Sequence, residues 1–142
     1  MAKFAVNGID ELAAELMEMG QLDNGELVSD MLEAGAEVVS DEWKKGIRSA
    51  VKTNGRSTGE MERSVAPAKG IKTVDGVSVK EIYPQGKDSK GVRNVEKAFI
   101  LHYGKSGQAP TRFADAVEDA AEDKAVLAME DVFNNYLEKE GF

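Results

Sequence analysis

Between Asp23 and Ala50, apolar side chains recur with a period near 3.6: Leu27, Val28, Met31, Leu32, Gly35, Val38, Val39, Trp43, Ile47 and Ala50. That is one face of a long amphipathic helix, and such a face has to be covered by another element. Asp23 followed by Glu26 supplies a capping arrangement at its start, and Asn54-Gly55 marks where it should have ended. The closing segment repeats the spacing at Phe113, Ala116, Val117, Ala120, Ala121, Ala125, Ala128, Met129, Val132, Phe133, Tyr136 and Leu137, with Thr111 as its expected N-cap. Its first half is lined with alanine, which lets a neighbour approach closely, and its second half carries bulkier anchors.

The remaining segments are shorter. Phe4 to Val6 reads as an edge strand stopped by Asn7-Gly8. Ile9, Leu12, Ala13, Leu16 and Met17 then space as a first amphipathic helix, with Gly20 available to end it. Gly59 to Ser64 reads as a short helical piece capped by Thr58 or Ser57 and closed by Pro67. From Ile71 to Tyr83, β-branched residues flank Asp75-Gly76, a pair suited to a type I′ turn, and a β-hairpin is expected. Residues 84–94 hold Pro84, Gly86, Gly91 and three basic side chains with little apolar content, which describes an exposed, mobile loop. Val95 to Tyr103 reads equally as strand or short helix, because so short an apolar run has no decisive period. The expected fold is α+β: a single domain over 1–142, in which two long amphipathic helices pack on a small, mostly antiparallel sheet with a β-hairpin.

Composition narrows the function. No cysteine is present, which removes disulfide staples, thiolate zinc sites and cysteine nucleophiles together. The first residues lack a 7-to-15-residue apolar stretch of the secretory kind, and strictly apolar runs such as Ala98 to Leu101 and Ala125 to Met129 are short, so neither a signal peptide nor a membrane span is expected. A formal charge of -8 argues against a general nucleic-acid binder. The charge is nonetheless segregated. Residues 1–50 carry 4 basic and 11 acidic side chains, residues 51–108 carry 11 and 6, and residues 109–142 carry 3 and 9. A basic middle between acidic ends suits a domain that presents a positive surface to a neighbour.

Little in the chain points to catalysis. His102 is the single histidine, it lies between Leu101 and Tyr103, and no serine occupies a G-x-S-x-G elbow. One imidazole, no thiolate and no calcium-loop pattern leave no metal site, and no cofactor is implied. Gly104-Lys105-Ser106 resembles the tail of a phosphate-binding loop, but the earlier glycine that such a loop requires falls on Phe99. Gly86-Lys87 fails in the same way at Glu81. Arg63, Lys87, Lys90 and Arg93, with His102, Tyr103 and Lys105, remain as candidates for an interface with another subunit or partner. The simpler reading is that the cations keep the loops soluble.

Several motifs in order resemble one family. They are the early Asn-Gly followed by Ile9-Asp10-Glu11-Leu12, the helix segment Ala34-Gly35-Ala36-Glu37-Val38-Val39, and Ser57-Thr58-Gly59-Glu60-Met61-Glu62-Arg63-Ser64-Val65. Further on come Ala98-Phe99-Ile100-Leu101-His102-Tyr103-Gly104 and Ala109-Pro110-Thr111-Arg112-Phe113. Together they resemble the tailed-bacteriophage neck or tail-completion proteins, the gene-10-product-like tail components. The chain departs from that pattern at Ser57 (usually aspartate), His102 (commonly glutamate) and Lys105 (threonine), and in the two residues that separate Pro110 from Phe113. The resemblance implies a non-enzymatic virion protein, assembled in the bacterial host cytoplasm, that forms a homo-oligomeric ring at the head-tail joint or proximal tail end. Its partners would be neighbouring neck, connector and tail proteins, with DNA passing through the lumen without specific binding. Thr58, Gly59, Ser64, Gly104, Pro110 and Phe113 hold motif positions, and turns, helix starts and core packing account for them most simply. A small acidic cytosolic adaptor that binds a protein partner through its basic central loop is the alternative, with a hydrolase using His102 a distant third.

Overall fold

The computed structural model describes residues 3–5, 24–51 and 58–139. The expected helix over 9–20, the Asp23 cap and the Asn54-Gly55 stop lie outside the described residues. The elements run β1 (Lys3–Ala5), α1 (Asn24–Val51), α2 (Glu60–Arg63), β2 (Val65–Pro67), β3 (Lys72–Val74), β4 (Val77–Pro84), α3 (Asn94–Tyr103) and α4 (Phe113–Lys139). The fold is α+β, as the sequence leads one to expect.

The α1 helix follows its sequence period closely. Leu27, Met31, Gly35, Val39, Trp43 and Ile47 form a buried row at four-residue spacing, and Glu33, Glu37, Asp41 and Arg48 lie exposed on the other side. The α4 helix answers with Phe113, Val117, Ala121, Ala125 and Met129, also spaced by four. The two run antiparallel. Trp43 meets Phe113 edge-on with ring centroids 5.3 Å apart, while Leu27, Val28, Met31 and Leu32 cluster with Met129, Val132, Phe133 and Tyr136 at the other end. The stripe on α4 is narrower than its alanine content suggests: Ala116, Ala120, Val126 and Leu127 are exposed. Alanine is small enough to sit on either face, so it widens an apparent stripe without marking a contact. Across the seam, buried Glu42 accepts from Lys124 at 2.9 Å and from Lys45 at 3.3 Å. The Lys124 hydrogen bond above all holds the Glu42 carboxyl below the usual carboxylate range.

Strand β4 is the centre of the sheet. It pairs antiparallel with β1 (Phe4↔Lys80), with β2 (Ala66↔Tyr83) and with β3 (Thr73↔Ser78). The expected hairpin is present: Asp75 and Gly76 both take positive φ, 51° and 78°, as a type I′ turn requires. Val65 and Ile82 carry the sheet into the α1–α4 core beside Ala98 and Leu101 of α3. Pro67, expected to close the short helical piece, instead sits in β2 opposite Ile82. Ser64 ends that helix, its hydroxyl donating to the Met61 carbonyl at 2.6 Å. An edge strand has room for a residue without an N–H, so proline is tolerated there.

Residues 95–103, open between strand and helix from sequence, are helical, with Asn94, Ala98, Leu101 and His102 on the buried side. The expected Thr111 cap is corrected. Its hydroxyl donates to the Leu101 carbonyl at 2.7 Å, and its amide donates to the same oxygen at 3.1 Å, so Thr111 ties the connection to α3 and leaves the first turn of α4 to another group.

The two long helices approach closely at Gly46, where a Cβ would lie 2.5 Å from Val117 Cγ2. Gly46→Ala sets a helix-propensity gain of about 1 kcal/mol against overpacking of about 1–3 kcal/mol. Urea unfolding should show Gly46→Ala as neutral to destabilising in the natural chain. In a Val117→Ala background the clash is gone, and the same change should stabilise by about 1 kcal/mol.

Candidate functional site

The sequence-selected residues fall at the two ends of α3. At its N-terminal end lies the basic loop, which is extensively hydrogen-bonded where composition suggests mobility. Asp88 is its centre. The Asp88 carboxylate accepts from the amides of Lys90 and Val92, each at 2.9 Å, and from Lys97 Nζ on α3 at 2.8 Å. The Asp88 amide in turn donates to the Val92 carbonyl at 2.8 Å, and the Gly91 amide donates to the Asp88 carbonyl. The Lys97 bond first, then the Val92 amide, pulls the Asp88 carboxyl down to about 2. The loop base is fixed separately: Gln85 Nε2 donates to the carbonyls of Ala66 and Pro67, and buried Asn94 donates to the Gln85 carbonyl. The Glu60 side chain accepts from the Ser89 amide and hydroxyl, tying the loop to α2. Lys87, Lys90 and Arg93 are exposed on this frame. Among the described residues, the Arg93 guanidinium meets Glu96 at 3.5 Å.

Arg63 stays local. Its guanidinium donates to the Thr58 carbonyl at 3.2 Å, beneath Gly59, whose positive φ and missing Cβ make room for it. It is Arg48 of α1 that reaches this helix, pairing with Glu62. The N-cap position of α2 falls on Gly59 and not on the expected Thr58, whose hydroxyl lies one residue ahead of it and accepts from the Glu60 amide at 3.3 Å.

At the C-terminal end of α3, His102 is buried, and its Nδ1 accepts from the Ala114 amide at 3.2 Å. The imidazole therefore satisfies an orphan amide in the first turn of α4, the task expected of Thr111. Nε2 lies 3.9 Å from Asp115, and no hydroxyl nucleophile is bonded to the ring among the described contacts. Gly104 is required sterically. At φ 80° it lies so close to Gln108 and Pro110 that a Cβ would meet the Gln108 carbonyl oxygen at 2.7 Å. Lys105 is exposed in the turn that follows, closed by reciprocal backbone bonds with Gln108. Pro110 packs over Gly104, and Phe113 joins the core.

Beside His102, a cleft of about 160 Å³ opens between α3 and the start of α4, lined by Phe99, Tyr103, Phe113, Asp115 and Glu118 among others. The rings of Phe99 and Tyr103 meet tilted, with centroids 4.6 Å apart, and are 56% and 48% exposed, and Arg112 lies 5.2 Å over the Tyr103 ring. Sequence reasoning missed Phe99, Asp115 and Glu118, because their convergence depends on how α3 meets α4. It also missed Asp88, although an aspartate two residues before a glycine-containing turn is a local signal for this kind of capping. Among the described residues, no group of three or more His, Asp or Glu side chains could hold a metal ion, and no helix is long and apolar enough to cross a membrane.

The Asp88 carboxyl links loop structure to pH. Its folded value, about 2, lies below its ordinary 3.8. Its stabilisation is therefore present above pH 4 and lost as pH falls toward 2. An NMR titration of the side-chain carboxyl should give a midpoint near 2. Asp88→Asn should flatten the pH dependence of stability between 4 and 2, and should loosen the Val92 amide in hydrogen exchange.

No curated protein and no solved structure matches the chain. A family model does, over residues 10–104: that of the "Bacteriophage HK97-gp10, putative tail-component" proteins. The match takes in α1, strands β2–β4, the basic loop and all of α3, and ends before the α4 residues that form the other wall of the cleft. With more than half of its length matched, the chain belongs to the HK97-gp10-like family of bacteriophage tail components.

Proposed function

We propose that this protein is a non-catalytic structural part of a phage virion, acting in tail completion and head-tail joining by assembling as a ring at the head-tail joint or proximal tail end. The family match over residues 10–104 carries this reading. The geometry is in keeping with it: the one histidine is committed to the first turn of α4. The exposed groups sit on rigid connections rather than in a deep pocket. In this role the α1–α4 pair and the sheet form a scaffold, and the basic loop and the α3–α4 cleft face neighbouring subunits or adjoining neck, connector and tail proteins. DNA traverses the ring without specific contacts.

Exposed ion pairs contribute roughly 0–1 kcal/mol each and are screened by salt, so an assembly that depends on them is salt-sensitive. Size-exclusion chromatography with multi-angle light scattering, over a range of concentrations at low and high salt, tests the proposal. The expected result is a concentration-dependent shift to one closed oligomer that recedes in high salt. A chain that stays monomeric throughout and is retained by a host protein contradicts it and favours a small adaptor.

A further inference from the structure

The basic loop and the α3–α4 cleft are complementary to one another, yet they lie at opposite ends of one helix. Val92 is an apolar side chain, 43% exposed, on a loop held in place through its own amide and carbonyl by Asp88. Lys90 and Arg93 flank it, both exposed. The cleft shows the reverse pattern: exposed rings of Phe99 and Tyr103, with the carboxylates of Asp115 and Glu118 along its α4 wall. Two cations also lie at this end, Arg112 at 5.2 Å over the Tyr103 ring and exposed Lys105 in the turn after α3, so the negative charge of the cleft is that of its α4 wall. A ten-residue helix separates the two surfaces by about 15 Å, so one chain cannot close them on itself through α3.

We infer that a second copy of this chain docks its Lys90–Arg93 loop, Val92 foremost, into the Phe99/Tyr103 cleft and against Glu118 and Asp115. This rests on the self-assembly reading above and specifies its contact. Because the two surfaces differ, the contact is head-to-tail. Each copy keeps one free loop and one free cleft until the rotation closes, which yields a ring. Pinning by Asp88 reduces the ordering cost of docking, since the loop already holds its bound shape.

The natural absence of cysteine makes a clean test available. Val92→Cys and Phe99→Cys chains, each carrying one thiol at an exposed position, are mixed and treated with a bismaleimide shorter than α3. The expected outcome is covalent dimer at about tenfold the yield of either variant alone. As a second readout, Lys90→Glu and Glu118→Lys should each weaken assembly by about tenfold, and the double variant should recover most of it. Circular dichroism melting checks that each variant keeps the natural fold. If the natural chain assembles but the mixture cross-links no better than single variants, this surface is wrong while self-assembly stands. If light scattering finds no oligomer and no cross-link forms, both fall.

Discussion

The antiparallel seam between α1 and α4 is the constraint on which the rest of the molecule depends. The four-residue row of α4 is buried against α1, whose wider apolar face also meets β2 and β4. At one end of the seam Trp43 meets Phe113, and Gly46 admits Val117. That close approach fixes where α4 begins. It consequently fixes where α3 must end, because the Gly104–Arg112 connection is bonded back along α3: Thr111 to the Leu101 carbonyl, Arg112 to the His102 carbonyl. The sheet packs on the same core through Val65 and Ile82.

The candidate site follows from that arrangement. The α3 helix is held from below by Ala98 and Leu101, at its start by Asn94 and at its end by His102, so both of its ends are placed with little freedom. The loop at one end is organised by a single carboxylate, and the cleft at the other is formed where α3 and α4 converge. Such rigidity suits a protein whose task is to hold neighbours at a set angle, because docking then costs little ordering of the loop. The tail-component family to which the chain belongs accords with a structural part of this kind.

The long helix was legible from sequence because its row of apolar residues is uninterrupted and its opposite face is charged. The hairpin was legible because Asp75-Gly76 is a pair that a type I′ turn favours. Residues 95–103 were not, since nine residues with so short an apolar run fit either period, and the decision lies with the core they join. The width of the α4 stripe was overestimated because alanine is counted as apolar wherever it falls. Composition suggested a loose loop at 84–94, yet its order comes from Asp88, Gln85 and Asn94, three polar residues whose partners lie up to 19 positions away. The charged candidates of the site were visible as a local excess of lysine and arginine. The aromatic and acidic half was not, since Phe99 and Glu118 become neighbours only when two helices meet.

Hydrogen exchange across the free chain measures the central claim directly, since local opening free energies rank the elements by how much of the structure depends on them. The slowest amides should lie in the middle of α1, residues 31–47, and in α4, residues 117–129, opening together, with α3 next and the loops faster. Strand β4 outlasting both helices, or α4 exchanging at loop rates while α1 stays protected, would contradict an architecture built on the α1–α4 seam.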